Sequence, residues 1–311
     1  MSIDCSWLYN GLQKEKPSII LVDCREYEEY DANHIASAIC VPSEVGITES
    51  GEEEFVDLTE IKNGFFKHPK HFECFEEREA KSMIVYNDND HTMWIGHIIS
   101  CMDVEGKVVN VQSLDDGFDH FFQTYPFLCT KDVDPSSLYS IPGYPFPIEI
   151  IPHSLYVSCS SQRLFVEHVE NLKLTDIVQI GEIPEAPVGF DQVQFSKIEF
   201  ELSRSGFGKF MDLINEKREK DKKILVFCKN SENLLALVMY YLIAKMKKTL
   251  RYVYNFVTKS YWQDGIRISP QYLQLLSELE KETLGSTSIT GQEIQSGAIP
   301  EHSPSKLCTI C

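Results

Sequence analysis

The stretch ILVFCKNSENLLALVM, residues 224–239, decides the fold of the second half of the chain. Its first five residues form an uninterrupted apolar run, which is typical of a strand buried inside a parallel sheet. A second apolar run begins a few residues later and continues as a helix predicted over Asn233–Met246. The stretch therefore predicts a buried strand that ends in a thiol, Cys228, just before a helix.

The same alternation of short apolar strands and longer helical stretches occurs in both halves of the chain and predicts the α/β fold class. Each half is expected to hold a mainly parallel sheet flanked by helices. The clearest predicted strands are Ile19–Asp23, Met83–Tyr86, Lys107–Val111, Leu155–Val157, Asp176–Ile180 and Ile224–Phe227. The predicted helices of the second half are Gly206–Lys220, Asn233–Met246, Leu250–Trp262 and Gln271–Leu284.

Composition suggests the domain boundaries. Pro, Ser and Gly are concentrated in residues 135–147, which indicates an extended linker, and small polar residues after position 285 indicate disorder. The predicted organisation is a first domain at 1–131, a linker at 132–147, a second domain at 148–285 and a disordered tail at 286–311.

Charge and cysteine content narrow the partners and the compartment. The net charge of −18 argues against nucleic acid as a partner, and the longest apolar stretch, Leu234–Ala244, is too short for a membrane span. The ten cysteines contain one CxxC and no second pair, so we expect no metal site, no cofactor and reduced thiols. We expect a cytoplasmic location; a mitochondrial one stays open as an alternative, although no presequence is seen.

Two segments of the first half resemble rhodanese domains. They are LVDCR at 21–25 followed by HIASAICVP at 34–42, and LDDGF at 114–118 followed by Phe121. The resemblance implies a rhodanese-like domain with its catalytic loop directly after the strand that ends at Tyr86.

Sulfur transfer in that family uses a cysteine at the start of this loop, where backbone N–H groups and a cation activate it. This chain has no thiol there; the degenerate loop contains Asn87, Asp88, Asp90 and Thr92. An active sulfurtransferase is therefore not expected. The degenerate form resembles the first domain of MAP kinase phosphatases, which carries a basic docking motif. Here Glu44–Glu60 has seven acidic residues and no basic one, so direct MAP kinase docking is not expected.

The stretch at residues 224–239, which contains Cys228, resembles the His-Cys-x5-Arg loop of cysteine phosphatases. Further matches at 147–157 and 268–280 make the whole second half similar to dual-specificity phosphatases. The resemblance implies that Cys228 stands at the position of the nucleophile. It also implies a second domain with a parallel sheet, and no metal.

Most of the groups that such a phosphatase needs are replaced. Phe227 stands at the His position, Ser231 at a loop Gly, Leu234 at the Arg, Leu235 at a hydroxyl, and Leu202 at the general acid, while Glu232 adds a negative charge. Loss of one preorganised donor costs ~10²–10³ in rate. Loss of the general acid costs a further ~10²–10⁴. Useful phosphatase turnover is not expected.

The sequence therefore predicts a catalytically inactive pseudophosphatase of the MAP kinase phosphatase group. We expect it to act as a protein-interaction scaffold in phosphorylation signalling, with signalling proteins, phosphatases or phosphoproteins as partners. The alternative is a weak or specialised dual-specificity phosphatase that uses Cys228. Cys228 is interpreted as a buried thiol, with redox sensing as the alternative; Cys308 and Cys311 are interpreted as incidental, with a lipid site or a redox pair as alternatives.

Overall fold

The computed structural model describes residues 2–14, 18–43, 45–47, 53–55, 58, 65–87, 92–159, 164–181, 190, 192–199, 201, 203–261, 268–297 and 299. The chain divides into two compact units, Met1–Phe146 and Pro147–Cys311. Each unit has its own sheet and helices.

The first unit is built on a five-stranded parallel sheet. The strands of the whole unit are β1 (Ser2–Ile3), β2 (Ile19–Asp23), β3 (His34–Ile35), β4 (Ile39–Cys40), β5 (Val45–Ile47), β6 (Glu53–Phe55), β7 (Ser82–Tyr86), β8 (Asn110–Leu114) and β9 (Cys129–Thr130). Its helices are α1 (Cys5–Leu12), α2 (Tyr27–Ala32), α3 (Pro69–Glu76), α4 (Thr92–Glu105) and α5 (Gly117–Thr124). The sheet order is β1-β8-β7-β2-β4, with every neighbouring pair parallel. The pairs β3–β9 and β5–β6 are short and antiparallel.

The second unit has a sheet of the same size. Its strands are β10 (Ile148–Ile151), β11 (Leu155–Cys159), β12 (Asp176–Ile180), β13 (Gln194–Ile198) and β14 (Ile224–Cys228). Its helices are α6 (Val166–Leu172), α7 (Arg204–Arg218), α8 (Ser231–Met246), α9 (Leu250–Tyr261), α10 (Pro270–Leu284) and α11 (Gly291–Ser296). The order is β10-β11-β14-β12-β13, and β10 alone runs antiparallel to its neighbour within this sheet.

The central strands are buried because helices cover the sheets. In the first unit Met83–Tyr86 are fully buried, and α4 packs Trp94, Ile98 and Met102, spaced one helical turn apart, into the same core. In the second unit all five residues of β14 are buried, and the apolar residues of α8 belong to the same core. The predicted α/β class with mainly parallel sheets flanked by helices is confirmed.

The predicted strand Lys107–Val111 was wrong in its position. The strand is Asn110–Leu114, because Gly106, with φ of +70°, ends α4 and turns the chain. The N–H of Val109 donates to the Lys81 carbonyl at 2.9 Å, yet the Val109 side chain is 67% exposed. The β-branched residues Val108 and Val109 therefore lie just before the strand and not in it.

The predicted linker, 132–147, belongs to the first unit through Phe146 and is not an extended connector. Leu138 lies on a 3₁₀ helix, Ser137–Ser140, and is buried, as is Phe146. The Phe146 N–H donates to the Gln13 side chain at 2.8 Å, and the Tyr144 hydroxyl donates to the Leu12 carbonyl at 2.7 Å. The apolar and aromatic residues between the prolines hold the segment in the unit.

The predicted disordered tail, 286–311, also needs correction in its first part. Residues 286–297 are described, contain α11, and are joined to α9, where the Arg251 guanidinium donates to the Glu293 carboxylate at 2.8 and 3.0 Å. Ile289 and Ile299 are buried in the core of the second unit. The two buried apolar side chains and the ion pair hold this segment in the second unit, although most of its residues are small and polar. Cys308 and Cys311 lie outside the described residues.

In the described part of the chain, the helices are all too short or too polar to cross a lipid bilayer.

Candidate functional site

Cys228 is placed by a strand and a helix. It is the last residue of β14 and is 2% exposed. Two exposed residues, Lys229 and Asn230, connect it to α8, which begins at Ser231. The thiol therefore lies directly below the first turn of a helix.

Two backbone N–H groups at the start of α8 are bonded to Asn230. The Asn230 side chain caps α8 and accepts from the Asn233 N–H at 3.0 Å, and the backbone carbonyl of Asn230 accepts from the Leu234 N–H at 3.1 Å. The N–H groups of Asn230 and Leu234 also face the Cys228 sulfur. The capped N–H of Asn233 is one of the donors that an anion at a helix N-terminus would use.

The charge state of the thiol follows from its surroundings. Burial raises the pKa of Cys228, and the nearby Cys159 adds to the rise, while the two backbone N–H groups lower the pKa by less. An ordinary thiol pKa is already above neutral pH. Cys228 is thus predominantly a thiol, which is a poor nucleophile.

Most of the described side chains that are predicted to replace phosphatase groups are buried. Leu234 and Leu235 are 0% exposed and pack with the core of the second unit, and Phe227 is 8% exposed. Ser231, by contrast, is the first residue of α8 and partly exposed. The side chain at the Arg position is therefore held away from any ligand above Cys228.

Glu232 has a structural partner that the sequence did not reveal. Its carboxylate accepts from the Ser269 N–H at 2.6 Å, at the start of α10. Beside it, the Tyr272 hydroxyl donates to the Asn233 side-chain oxygen. Burial, then the charges of Glu232 and Cys228, raise the pKa of Tyr272 to about 12. Glu232 therefore joins α8 to α10. The Pro at the first position of α10 indicates where that helix starts, but no sequence pattern near Glu232 indicates that Ser269 is its partner.

Two cations of the second unit, Lys229 and Arg204, lie outside the predicted site. Lys229 follows Cys228 directly, is exposed, and was not included among the predicted site residues. Arg204, at the start of α7, forms ion pairs with Glu278 at 3.2 Å and Glu282 at 2.6 Å on α10. Leu202, at the predicted position of the general acid, lies outside the described residues.

The rhodanese-like loop begins with Asn87, which follows β7 and is 8% exposed. Its carbonyl accepts from the Phe118 N–H at 3.1 Å, and its side-chain Nδ2 has no hydrogen-bond partner among the residues that the structure describes. Asp88 and Asp90 lie outside the described residues, and Thr92 is the first residue of α4.

A buried thiol and a buried cation lie beside this loop, and sequence reasoning gave neither a role. Cys24 follows β2, and its N–H donates to the Tyr86 carbonyl at 2.8 Å. Burial and the Asp23 charge raise the pKa of Cys24 well above its usual value. Arg25 pairs with Asp23 at 2.7 Å and lies 3.7 Å from the Phe118 ring centre. Both groups are therefore part of the packing of the unit.

No group of three or more His, Cys, Asp or Glu side chains within the described ranges is arranged to hold a metal ion.

Comparison with known proteins supports the predicted rhodanese-like fold of the first unit most directly. A family model described as a rhodanese-like domain matches residues 4–124. Dual specificity protein phosphatase 16 of Homo sapiens is 21% identical over 302 residues, which cover 90% of this chain. The chain spans 43% of the length of that relative.

Solved structures of phosphatases are also similar to part of the chain. A human tyrosine phosphatase-like serine/threonine/tyrosine-interacting protein is 16% identical, covers 45% of this chain and 98% of its own, and has a TM-score of 0.36. A leucine-rich repeat and phosphatase domain protein from Entamoeba histolytica is 15% identical, covers 45% of this chain and 93% of its own, and has a TM-score of 0.37. The first unit contains a rhodanese-like domain.

Proposed function

We propose that the protein is a catalytically inactive pseudophosphatase that works as an interaction protein in phosphorylation signalling. The observation that carries this proposal is the internal use of the donors above Cys228. The Asn230 side chain bonds the Asn233 N–H in the first turn of α8, and Leu234 is packed in the core. A phosphoryl group placed there would displace the cap and meet no guanidinium.

Two other features support inactivity. A mainly protonated, buried Cys228 lacks the thiolate that attacks phosphorus. In the first unit, Asn87 follows the central strand where sulfur transfer needs a thiol, and the neighbouring Cys24 is 0% exposed. The remaining role for both units is to present surfaces to other proteins, such as phosphatases or phosphoproteins. We place this activity in the cytoplasm, and we do not include direct MAP kinase docking.

The test is turnover of an aryl phosphate and of phosphopeptides by the purified chain, beside a Cys228→Ser variant. We expect the same background rate for both proteins. Activity well above background that is lost in Cys228→Ser would overturn the proposal.

One arrangement favours a second candidate, a weak phosphatase. Two N–H groups face the Cys228 sulfur, and Lys229 follows it. Protection of Cys228 from alkylation by vanadate separates the two candidates. Protection at vanadate concentrations that inhibit cysteine phosphatases supports the enzyme, and unchanged alkylation supports the pseudophosphatase.

A further inference from the structure

Helix α4 carries a histidine and a cysteine one turn apart, and a hydrogen bond joins the two side chains. His97 and Cys101 are four positions apart, which places both on the same face of the helix. Helical side chains point back towards the N-terminus, so that of Cys101 lies over the turn that carries His97. The Cys101 sulfur is 3.4 Å from Nε2 of His97. When the imidazole carries its proton on Nδ1, Nε2 accepts from the thiol. A thiol therefore lies beside a base that can take its proton.

Aromatic rings surround the histidine of this pair. The His97 ring is stacked on the ring of Trp94, with 5.3 Å between ring centres and 18° between the ring planes. The ring of Phe55 lies 5.2 Å away. The face of an aromatic ring attracts a cation. The imidazolium that forms when Nε2 takes the thiol proton is therefore stabilised where it stands, beside the Cys101 thiolate.

The acidic side chains close to the thiol do not oppose this proton transfer. Glu105 lies one helical turn after Cys101. Its carboxylate accepts from the Arg78 guanidinium at 2.8 Å and pairs with Lys107 at 2.9 Å, so its charge is neutralised. Asp103 is exposed and only two positions from Cys101, so it projects from a different face of α4.

Other thiols of the first unit are held in a different way. The sulfur atoms of Cys40 and Cys129 donate to backbone carbonyls, which accept a hydrogen bond but do not take the proton. Burial also raises the pKa of four thiols, those of Cys24, Cys40, Cys74 and Cys129. Cys101 is partly exposed and has an imidazole as its partner. It therefore combines access for a small molecule with a base.

We propose that Cys101 is a nucleophilic thiol, activated by His97, that forms mixed disulfides with small cationic disulfide compounds. A cysteine with an adjacent general base is the arrangement that activates a thiol for attack. The site lies in the first unit and does not depend on the proposed function, since it requires neither phosphate binding nor a protein partner.

The reaction is a balanced thiol–disulfide exchange. Nε2 of His97 takes the proton of the Cys101 thiol. The thiolate attacks one sulfur of the disulfide RSSR, a new S–S bond forms, and the S–S bond of the reagent breaks. The leaving thiolate takes the proton from the His97 imidazolium and departs as RSH. One disulfide is consumed and one is formed, so no further oxidant or reductant is needed.

The charge of the first unit selects the reagent. Residues 1–146 contain 27 Asp and Glu side chains and 10 Lys and Arg side chains, which leaves a net charge of −17. Such a field attracts cations, repels anions and is screened by salt. A disulfide that carries amino groups should therefore reach Cys101 more often than a neutral or anionic one.

The test is the rate at which individual thiols of the full chain form mixed disulfides with cystamine, a diamine disulfide. Remaining thiols are blocked with N-ethylmaleimide before digestion with trypsin, which places Cys101 in peptide 82–107, Cys74 in 71–78 and Cys24 in 15–25. At pH 7 we expect Cys101 to react at least about tenfold faster than Cys74, because an ordinary thiol is only a few per cent thiolate. Cys24 is 0% exposed and should stay unmodified.

Two variants show whether the histidine is responsible. In His97→Gln the Cys101 rate should fall to that of Cys74 at pH 7 and rise about tenfold per pH unit up to the ordinary thiol pKa, whereas the parent rate should be nearly constant over about pH 6–8. A loosened fold cannot imitate this loss, because unfolding exposes thiols and speeds their reaction. His120→Gln is the matched control, since His120 is an exposed helical histidine with Thr124 one turn later, and it should leave the rates unchanged.

Two results would overturn the proposal: equal rates at Cys101 and Cys74 in the parent protein, or a His97→Gln pH profile identical to the parent's. The charge argument has its own test. Replacing cystamine by the neutral hydroxyethyl disulfide should slow modification of Cys101 several-fold at low salt, and added salt should reduce the difference. Equal rates with both reagents at low salt would reject the selection of cationic disulfides.

Discussion

Replacing Leu234 by arginine puts back the cation that a cysteine-phosphatase loop uses, and we expect it to destabilise the second unit without producing a phosphate site. Leu234 is 0% exposed and packs in the core below the first turn of α8. The new guanidinium has two options: it stays in the core without a partner, or it escapes by opening the turn.

Both options cost free energy of unfolding. A buried charge left without a partner costs about 3–5 kcal/mol. Opening the turn loses the Asn230 cap, about 1 kcal/mol. It also loses the hydrogen bond from Ser269 to the Glu232 carboxylate, about 1.5–3 kcal/mol. The loss is therefore about 2.5–5 kcal/mol, against about 5–15 kcal/mol for a typical domain.

The assay is the urea dependence of Cys228 alkylation, followed on peptide 224–229, because the buried sulfur reports opening of this unit alone. The midpoint should fall by roughly 1–5 M urea at slopes of about 1–3 kcal/mol per M, which are usual for small proteins. Leu234→Met conserves volume and should cost less than about 1.5 kcal/mol. The reasoning is refuted if Leu234→Arg stays within about 1 kcal/mol of the parent and tungstate shields Cys228 from alkylation.

Three further predictions follow from buried charges. Glu232→Gln should lower the pKa of Tyr272 below its value of about 12, since the carboxylate charge helps to raise it; ultraviolet titration against Tyr272→Phe measures this. Burial lowers the pKa of His71 to about 4, below the unfolded value of about 6.5. The contribution of the neutral His71 ring to the free energy of unfolding is therefore fully present above about pH 6.5. It falls as pH drops towards 4, by up to about 3 kcal/mol, and His71→Gln should flatten this profile in urea titrations. Asp23→Asn should cost about 3 kcal/mol because it leaves the buried Arg25 charge without its carboxylate, again measured by urea unfolding.

Each of these has a control or a contrary result. Asp31→Asn breaks an exposed ion pair with Lys67 and should cost at most about 1 kcal/mol, so an equal effect at Asp23 would contradict the buried-pair argument. An unchanged Tyr272 titration in Glu232→Gln would mean that burial alone sets its pKa. A His71→Gln profile as steep as the parent's would assign the acid sensitivity to other groups.

The strands were predictable from sequence because a strand buried on both faces reads as a continuous apolar run. Ile19–Asp23 and Asp176–Ile180 were predicted with the bounds that the structure has. Segments that depend on distant partners were not predictable. Residues 132–146 read as a linker because their prolines are visible in the sequence, whereas the Gln13 side chain that holds Phe146 lies 133 positions away.

In the candidate site, too, local features could be predicted from the sequence and contacts between distant residues could not. The identities of Phe227, Cys228 and Leu234 could be read directly, and their chemistry follows from side-chain type. Asn230 as a helix cap was also readable, since Asn is a preferred residue immediately before a helix. The contact from Glu232 to Ser269 crosses 37 positions and carries no local pattern. The loop could therefore be recognised as degenerate, but its alternative bonding could not be predicted.

That alternative bonding bears on the proposed inactivity. A loop that had only lost its arginine would leave unbonded N–H groups, which would favour binding of another anion. Here Asn230 and Glu232 supply oxygen acceptors from within the chain, at the first turn of α8 and at the start of α10. Restoring one catalytic residue must then compete with hydrogen bonds that stabilise the fold. On the proposed function, we expect single changes at Asn230, Glu232 or Leu234 to cost stability without giving phosphate binding.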